Sequence, residues 1–195
     1  FGPGHTFLAK KEILSYEEMA KVVASLLPLG LAKVRITGGE PLLRRDLHLL
    51  IGLLRELDPA LDIAMTTNGV LLKRNAEMLL KSGLSRVTVS LDAVEEDLFQ
   101  AITDSNNTPK QIFEGIDLAQ EIGLPVKVNC VVKKGVNESQ IVPMTKACME
   151  RRVPVRFIEF MDVGTTNDWN LDAVISGKEM REILRNYWGP LEPRK

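Results

Sequence analysis

The chain has 195 residues, of which 45% are hydrophobic and 26% charged, the balance of a globular protein long enough to bury a sizeable core. A formal net charge of -1 and an isoelectric point near 6.2 give no global positive field, so neither nucleic acid nor an anionic membrane is expected as a partner. No apolar stretch is long enough to span a bilayer, and Phe1 to His5 lacks the basic start and apolar core of a secretory signal.

Ser15 is placed to cap a helix running to about Leu29, with Glu17 and Glu18 in its first turn. A strand over 33 to 37 follows, then a helix from about Asp46, its N-cap, to Leu57, and a strand over 62 to 67. A helix over roughly 72 to 82 stops at Gly83, and Arg86 to Leu91 reads as a third strand. Helices near 94 to 102 and 109 to 122 come next, the second ending at Gly123. Val126 to Val132 is a fourth strand, 139 to 151 a helix, and Val155 to Phe160 a fifth strand. Residues 162 to 175 read as an irregular polar loop with Gly164 and Trp169, and a last helix covers about 176 to 187 before Gly189-Pro190. Strands alternating with helices require parallel crossovers, so the fold class is α/β, an open sheet or a β/α barrel. The chain opens on a helix where such a repeat has a strand, so a first β/α unit is expected to be missing.

The run Thr37-Gly38-Gly39-Glu40-Pro41 follows the first strand directly. Two glycines free the backbone to approach a ligand, a carboxylate follows, and proline fixes the next turn. Other strands also end on polar residues: Thr66-Thr67-Asn68-Gly69, Ser90-Leu91-Asp92, Asn129, and Glu159 with Met161. Ligands of parallel α/β proteins bind at those ends, and the convergence of five strands outweighs any one motif. Period two sets Arg35 and Thr37 opposite Val34 and Ile36, Lys127 and Asn129 opposite Val126 and Val128, and Arg156 between Val155 and Phe157. Each buried charge among them needs a carboxylate, a ligand or water.

Plainer readings stand beside these. Asn68-Gly69 alone is a turn signal, Thr66 and Thr67 are also strand formers, and Ser90 and Asp92 also suit a helix cap. Lys127 has the length to snorkel to solvent, and Arg156 and Glu159 have the charge to pair with other side chains. Arg44-Arg45-Asp46 reads as a solvated helix start more readily than as a phosphate site. Cys130 and Cys148 have the setting of apolar filler, and His5 and His48 lack carboxylates at ligand spacing, so no metal site is expected. Asn137-Glu138-Ser139 fits a glycosylation sequon by pattern only. With no nucleophile and base at defined spacing, no Walker loop and no dinucleotide fingerprint, the residues point to an anionic or phosphorylated metabolite and to chemistry supplied by a cofactor.

Lys33 to Asp46, Thr66 to Val70, Val89 to Asp92, Val126 to Val132 and Arg156 to Met161 resemble the radical S-adenosylmethionine enzymes, and within them the GTP 3',8-cyclase family of molybdenum cofactor biosynthesis. Phe1-Gly2-Pro3-Gly4-His5 resembles that family's linker after its cluster motif. The resemblance implies a partial (β/α)6 barrel, with five strands present and the first missing. It implies a core over 1–189 and the start of a C-terminal extension over 190–195. Gly38, Gly39 and Glu40 resemble the element that holds the amino-acid end of S-adenosylmethionine, Ser90 the residue at its ribose or carboxylate, and Met161 the backbone contact to its adenine. Arg35, Thr66, Lys127 and Arg156 resemble the residues that hold GTP.

The implied reaction is reductive cleavage of S-adenosylmethionine by a [4Fe-4S] cluster, abstraction of the 3' hydrogen of GTP by the resulting radical, and attack of the sugar carbon on guanine C8. Cyclic pyranopterin monophosphate synthase would act next in the pathway, and a homodimer is compatible with the family. Of the two [4Fe-4S] clusters of the full-length family members, neither is expected here, because both cysteine motifs would lie outside this chain. The segment alone is therefore expected to be inactive, with an unpaired sheet edge where the missing strand would sit. Another radical enzyme of the superfamily and a non-catalytic nucleotide-binding barrel are the alternatives. The family's bacterial members are cytoplasmic and its eukaryotic ones mitochondrial.

Overall fold

A computed structural model describes residues 13–161 and 171–192. Five parallel strands, β1 (Lys33–Ile36), β2 (Asp62–Thr67), β3 (Arg86–Ser90), β4 (Val126–Val132) and β5 (Val155–Glu159), form one sheet in the order β1-β2-β3-β4-β5. The helices are α1 (Tyr16–Leu26), α2 (Leu47–Leu57), α3 (Leu72–Lys81), α4 (Glu96–Thr103), α5 (Pro109–Glu121), α6 (Ile141–Glu150) and α7 (Gly177–Trp188). The α/β class and the partial barrel arrangement of five strands agree with the sequence. No helix among the described residues is long and apolar enough to cross a membrane.

Strict alternation divides the sheet into two chemically distinct faces. Ile36, Ile63, Met65, Val87, Val89, Val128, Cys130 and Val132 are buried and pack with Leu50, Ile51, Leu54, Leu79, Ile112, Ile116 and Met144 of the helices. Burying such side chains stabilises the fold by about 1.5–3 kcal/mol each. The register sets the opposite face in rows: Arg35, Ala64 and Arg86; Thr66, Thr88 and Lys127; Ser90, Asn129 and Arg156. Polar groups thus lie side by side across the sheet.

Several boundaries differ from the sequence reading. The first helix leaves α geometry at Leu26 and finishes as a 3-10 turn over Leu27–Leu29, since Pro28 has no N–H to continue the ladder. The helix expected over 139 to 151 starts as a 3-10 turn, Glu138–Gln140, whose Glu138 carboxylate accepts from Gly135 N and Val136 N. Asp46 stands at the start of α2 in a left-handed conformation and makes no side-chain cap; its carboxylate pairs with Arg45 instead. Asp92 does not cap α4 either, because its Oδ1 accepts from Val131 N and extends the β3–β4 pairing. Glu159 shares the face of Val155 and Phe157, away from Arg156, and accepts from Gly177 N at the start of α7.

Within the polar loop expected over 162 to 175, Leu171–Ala173 forms a 3-10 turn and Val174 bridges Lys133. Gly164, Trp169 and the His5 region lie outside the described residues. Asn137 is 2% exposed, with Nδ2 donating to Asp92 O and Val131 O, so the sequon pattern has no accessible acceptor.

Candidate functional site

Beyond the C-terminal ends of β1, β2 and β3 lies a cavity of about 590 Å³, walled by Thr37-Gly38-Gly39-Glu40, Leu43, Thr66-Thr67-Asn68 and Ser90. Gly38 has φ +152, a conformation that L side chains rarely adopt, and a Cβ built on Gly38 or Gly39 meets nothing within 4 Å. The two glycines therefore offer bare backbone to the open space. That cradle has room and hydrogen-bonding groups for a small polar ligand.

Glu40 holds the cradle in shape. Its Oε1 accepts from Leu42 N at 3.0 Å and from Thr67 Oγ1 at 2.7 Å, while Oε2 accepts from Asn68 N at 2.7 Å. One carboxylate thereby caps the Pro41–Leu43 turn and fastens the loop after β1 to the end of β2. Pro41 sets the first φ of that turn. Thr67, buried on the helix side, completes the tie by accepting from Gly69 N at 3.1 Å.

The turn after β2 needs its glycine. Gly69 has φ +81, and a Cβ there would lie 2.8 Å from both Ile112 Cγ2 and Val89 Cγ1. Asn68 Oδ1 accepts from Val70 N at 3.0 Å, so Asn68-Gly69 is a turn and a cavity wall at once.

Cations dominate the polar face. Arg35 Nη1 donates to Thr66 Oγ1 at 2.9 Å, and Asp62 pairs with Arg86 and, at 3.5 Å, with Lys33. Arg86 holds the Asp62 carboxyl below the usual carboxylate range, chiefly through their hydrogen bond. Among the described residues no carboxylate pairs with Arg35, Lys127 or Arg156. Arg44, by contrast, is used structurally: Nη2 donates to Leu14 O at 2.6 Å and the guanidinium lies 4.3 Å from the centre of the Tyr16 ring.

The cavity gathers Gly38, Gly39, Glu40, Thr66 and Ser90, and Arg35 joins it through Thr66. Lys127 and Arg156 occupy the same sheet face one and two strands further on without lining that cavity. Met161 lies past the end of β5, is 71% exposed, and does not line it.

Two polar residues gain importance only in three dimensions, and a third, Asn129, gains an environment that its strand-end position does not foretell. Asn137 joins the loop after β3 to β4, and its Oδ1 accepts from Lys133 N. Gln140, fully buried, accepts from Val94 N and Glu95 N through Oε1. Both sit in an aperiodic stretch, which carries no pattern that would mark them. Asn129 is the third. Its Oδ1 is a buried side-chain atom without a hydrogen bond. The other such atom, Arg151 Nε, has Asp117 Oδ1 at 3.0 Å, which leaves Asn129 Oδ1 the one unaccompanied among the described residues. An orphaned buried polar atom costs about 1–3 kcal/mol.

No group of three or more His, Cys, Asp or Glu among the described residues is placed to hold a metal ion. Both cysteines are buried, and burial pushes the Cys148 thiol up to about 11 and the Cys130 thiol further still. Neither is a thiolate at neutral pH.

The sequence pattern of the Radical SAM superfamily matches residues 3–148. The GTP 3',8-cyclases of Staphylococcus aureus strains JH9 and Newman are each 45% identical over 196 residues, covering 100% of this chain and 58% of their own length. The chain thus spans somewhat over half of those curated relatives. Among solved structures, Streptococcus suis SuiB bound to S-adenosylmethionine superposes with a TM-score of 0.72 at 21% identity, covering 94% of this chain and 40% of SuiB. A radical SAM methyltransferase from Sphaerobacter thermophilus gives 0.67 at 18% identity, covering 91% and 56%. At these identities the likeness is one of fold.

Proposed function

Because the chain belongs to the Radical SAM superfamily, we propose that it binds S-adenosylmethionine in the glycine-lined cavity and GTP on the adjoining cationic face, as the barrel part of a GTP 3',8-cyclase. The observation that carries this reading is the 45% identity to such cyclases along the entire chain. The unpaired cations on one sheet face support it, since a triphosphate requires them.

The cavity fits S-adenosylmethionine: bare backbone at Gly38 and Gly39 suits the amino-acid end, and Ser90 stands across the space for its ribose or carboxylate. Met161 is assigned the backbone contact to adenine. The described residues do not fit an iron-sulfur cluster. S-adenosylmethionine, when bound, supplies the radical chemistry of the superfamily. Arg35, Thr66, Lys127 and Arg156 bind and orient GTP: the cations meet the triphosphate, and Thr66, fixed by Arg35, limits where the ribose lies. Glu40 keeps the cavity rigid while both ligands are present.

On this reading residues 1–189 belong to the barrel and 190–195 begin a further region. The product passes to a cyclic pyranopterin monophosphate synthase, and the protein works as a homodimer in the cytoplasm of a bacterium or the mitochondria of a eukaryote. Calorimetric titration of the full gene product tests the ligand assignment. Lys127→Ala should abolish GTP binding and leave S-adenosylmethionine binding largely intact; equal loss of both contradicts the roles given. Anaerobic reconstitution with iron and sulfide, followed by incubation with GTP and S-adenosylmethionine, should yield the 3',8-cyclised nucleotide, and its absence rejects the activity.

A further inference from the structure

We propose that Asp62 is a specificity-determining residue: its carboxylate competes with the phosphates of the nucleotide for Lys33 and Arg86, and so limits what a longer phosphate chain adds to affinity. The inference rests on reading the polar face as a nucleotide site. Within the five strands that face carries the cations Lys33, Arg35, Arg86, Lys127 and Arg156 and one carboxylate, Asp62, since Glu159 falls on the helix side. Asp62 Oδ1 pairs with Arg86 Nη1, and Oδ2 lies 3.5 Å from Lys33 Nζ. A single acid thus engages two of the five cations.

The register explains how one side chain reaches both. Lys33 lies directly beside Asp62, while Arg86 lies beside Ala64, whose methyl group leaves the guanidinium room to lean back along the sheet to Asp62. Arg35, on the other side of Ala64, reaches forward instead, Nη1 donating to Thr66 Oγ1 at 2.9 Å. The two arginines of one row therefore diverge, one toward the acid and one toward the glycine-lined cavity that Thr66 walls. Arg86 holds the Asp62 carboxyl below the usual range, so it is ionised at neutral pH. About a third of the Arg86 and Asp62 side chains and 60% of Lys33 are open to solvent, so a second anion can approach these cations while Asp62 still holds them. Pairs this exposed are weak enough for a phosphate to contest. Base and sugar carry no charge for Asp62 to oppose, whereas each added phosphate does.

The full gene product and its Asp62→Asn variant are titrated calorimetrically with GMP, GDP, GTP and S-adenosylmethionine, and thermal unfolding is followed without ligand. Asparagine keeps the size and an acceptor for Arg86 and gives up the charge. Asp62→Asn should bind GTP roughly fivefold more tightly than the parent, GDP by a smaller factor and GMP no more tightly, with S-adenosylmethionine affinity unchanged. In the parent, the step from GDP to GTP should tighten binding by less than roughly tenfold, because two of the cations are already engaged. A larger step in the parent overturns the inference whether or not the variant folds. An equal gain for all three nucleotides overturns it too, by showing that Asp62 acts only through the general field of the face. So does a variant that melts with the parent yet binds GTP no more tightly, or more weakly, since Asp62 would then position the cations instead of competing for them. A parent that binds neither GTP nor S-adenosylmethionine overturns the proposed function together with this inference, whereas parental binding that ignores Asp62 overturns the inference alone.

Discussion

The carboxylate of Glu40 and the hydroxyl of Thr67 meet at 2.7 Å, joining the loop after β1 to the last residue of β2. Three donors converge on that one side chain, so Glu40 shapes the cavity before any ligand arrives. Glutamine at this position would turn an NH2 group toward at least one of them. Glu40→Gln should destabilise the protein by about 1–3 kcal/mol in urea unfolding, and amide exchange at Asn68 should accelerate. Combining it with Thr67→Val should give less than the sum of the two losses, because both changes break one contact. Strict additivity would show that the two residues are not coupled.

Gly69 tolerates no side chain. Gly69→Ala combines a left-handed backbone with Cβ contacts of 2.8 Å to Val89 and Ile112, two core residues on separate elements. A loss of about 2–4 kcal/mol is expected, read as a lower urea midpoint with little change in slope. A change at Gly135, also at positive φ but open around its Cβ, should cost markedly less.

Burial holds the Asp92 carboxyl above its ordinary range, against the opposing pull of the Val131 N–H. A carboxyl raised by folding gives its full contribution below the unfolded value, and that contribution is lost as pH rises through the folded one. Asp92→Asn keeps an acceptor for Val131 N and never ionises. The variant should therefore gain on the parent as pH rises from about 4, measured by urea unfolding between acid and neutral pH. A constant deficit across that range would assign Asp92 a purely geometric role.

The division of the sheet into faces is legible in the sequence, because β-branched residues alternate with polar ones in β1, β3 and β4. So was the glycine cradle, since two consecutive glycines followed by glutamate and proline leave few backbone solutions. Glu159 defeated the same reasoning by one position: it follows Arg156 closely, yet period two sends it to the helix side, where it serves α7. Asp46 holds the N-cap position of α2 that its residue type predicts, but its left-handed backbone leaves the carboxylate without a cap hydrogen bond. Asn137 and Gln140 depend on partners 45 and 46 residues away, Asp92 and Val94, and nothing local announces such contacts.

Among the described residues strand order matches chain order. A nascent chain leaving the ribosome therefore lays each strand beside the one already made, and never has to open a finished pairing to insert a later strand. The glycine-lined cavity has all its walls once Ser90 has emerged, while Lys127 and Arg156 are still unsynthesised. The cavity is therefore built from one contiguous stretch of the chain, Thr37 to Ser90, and depends on no strand made later.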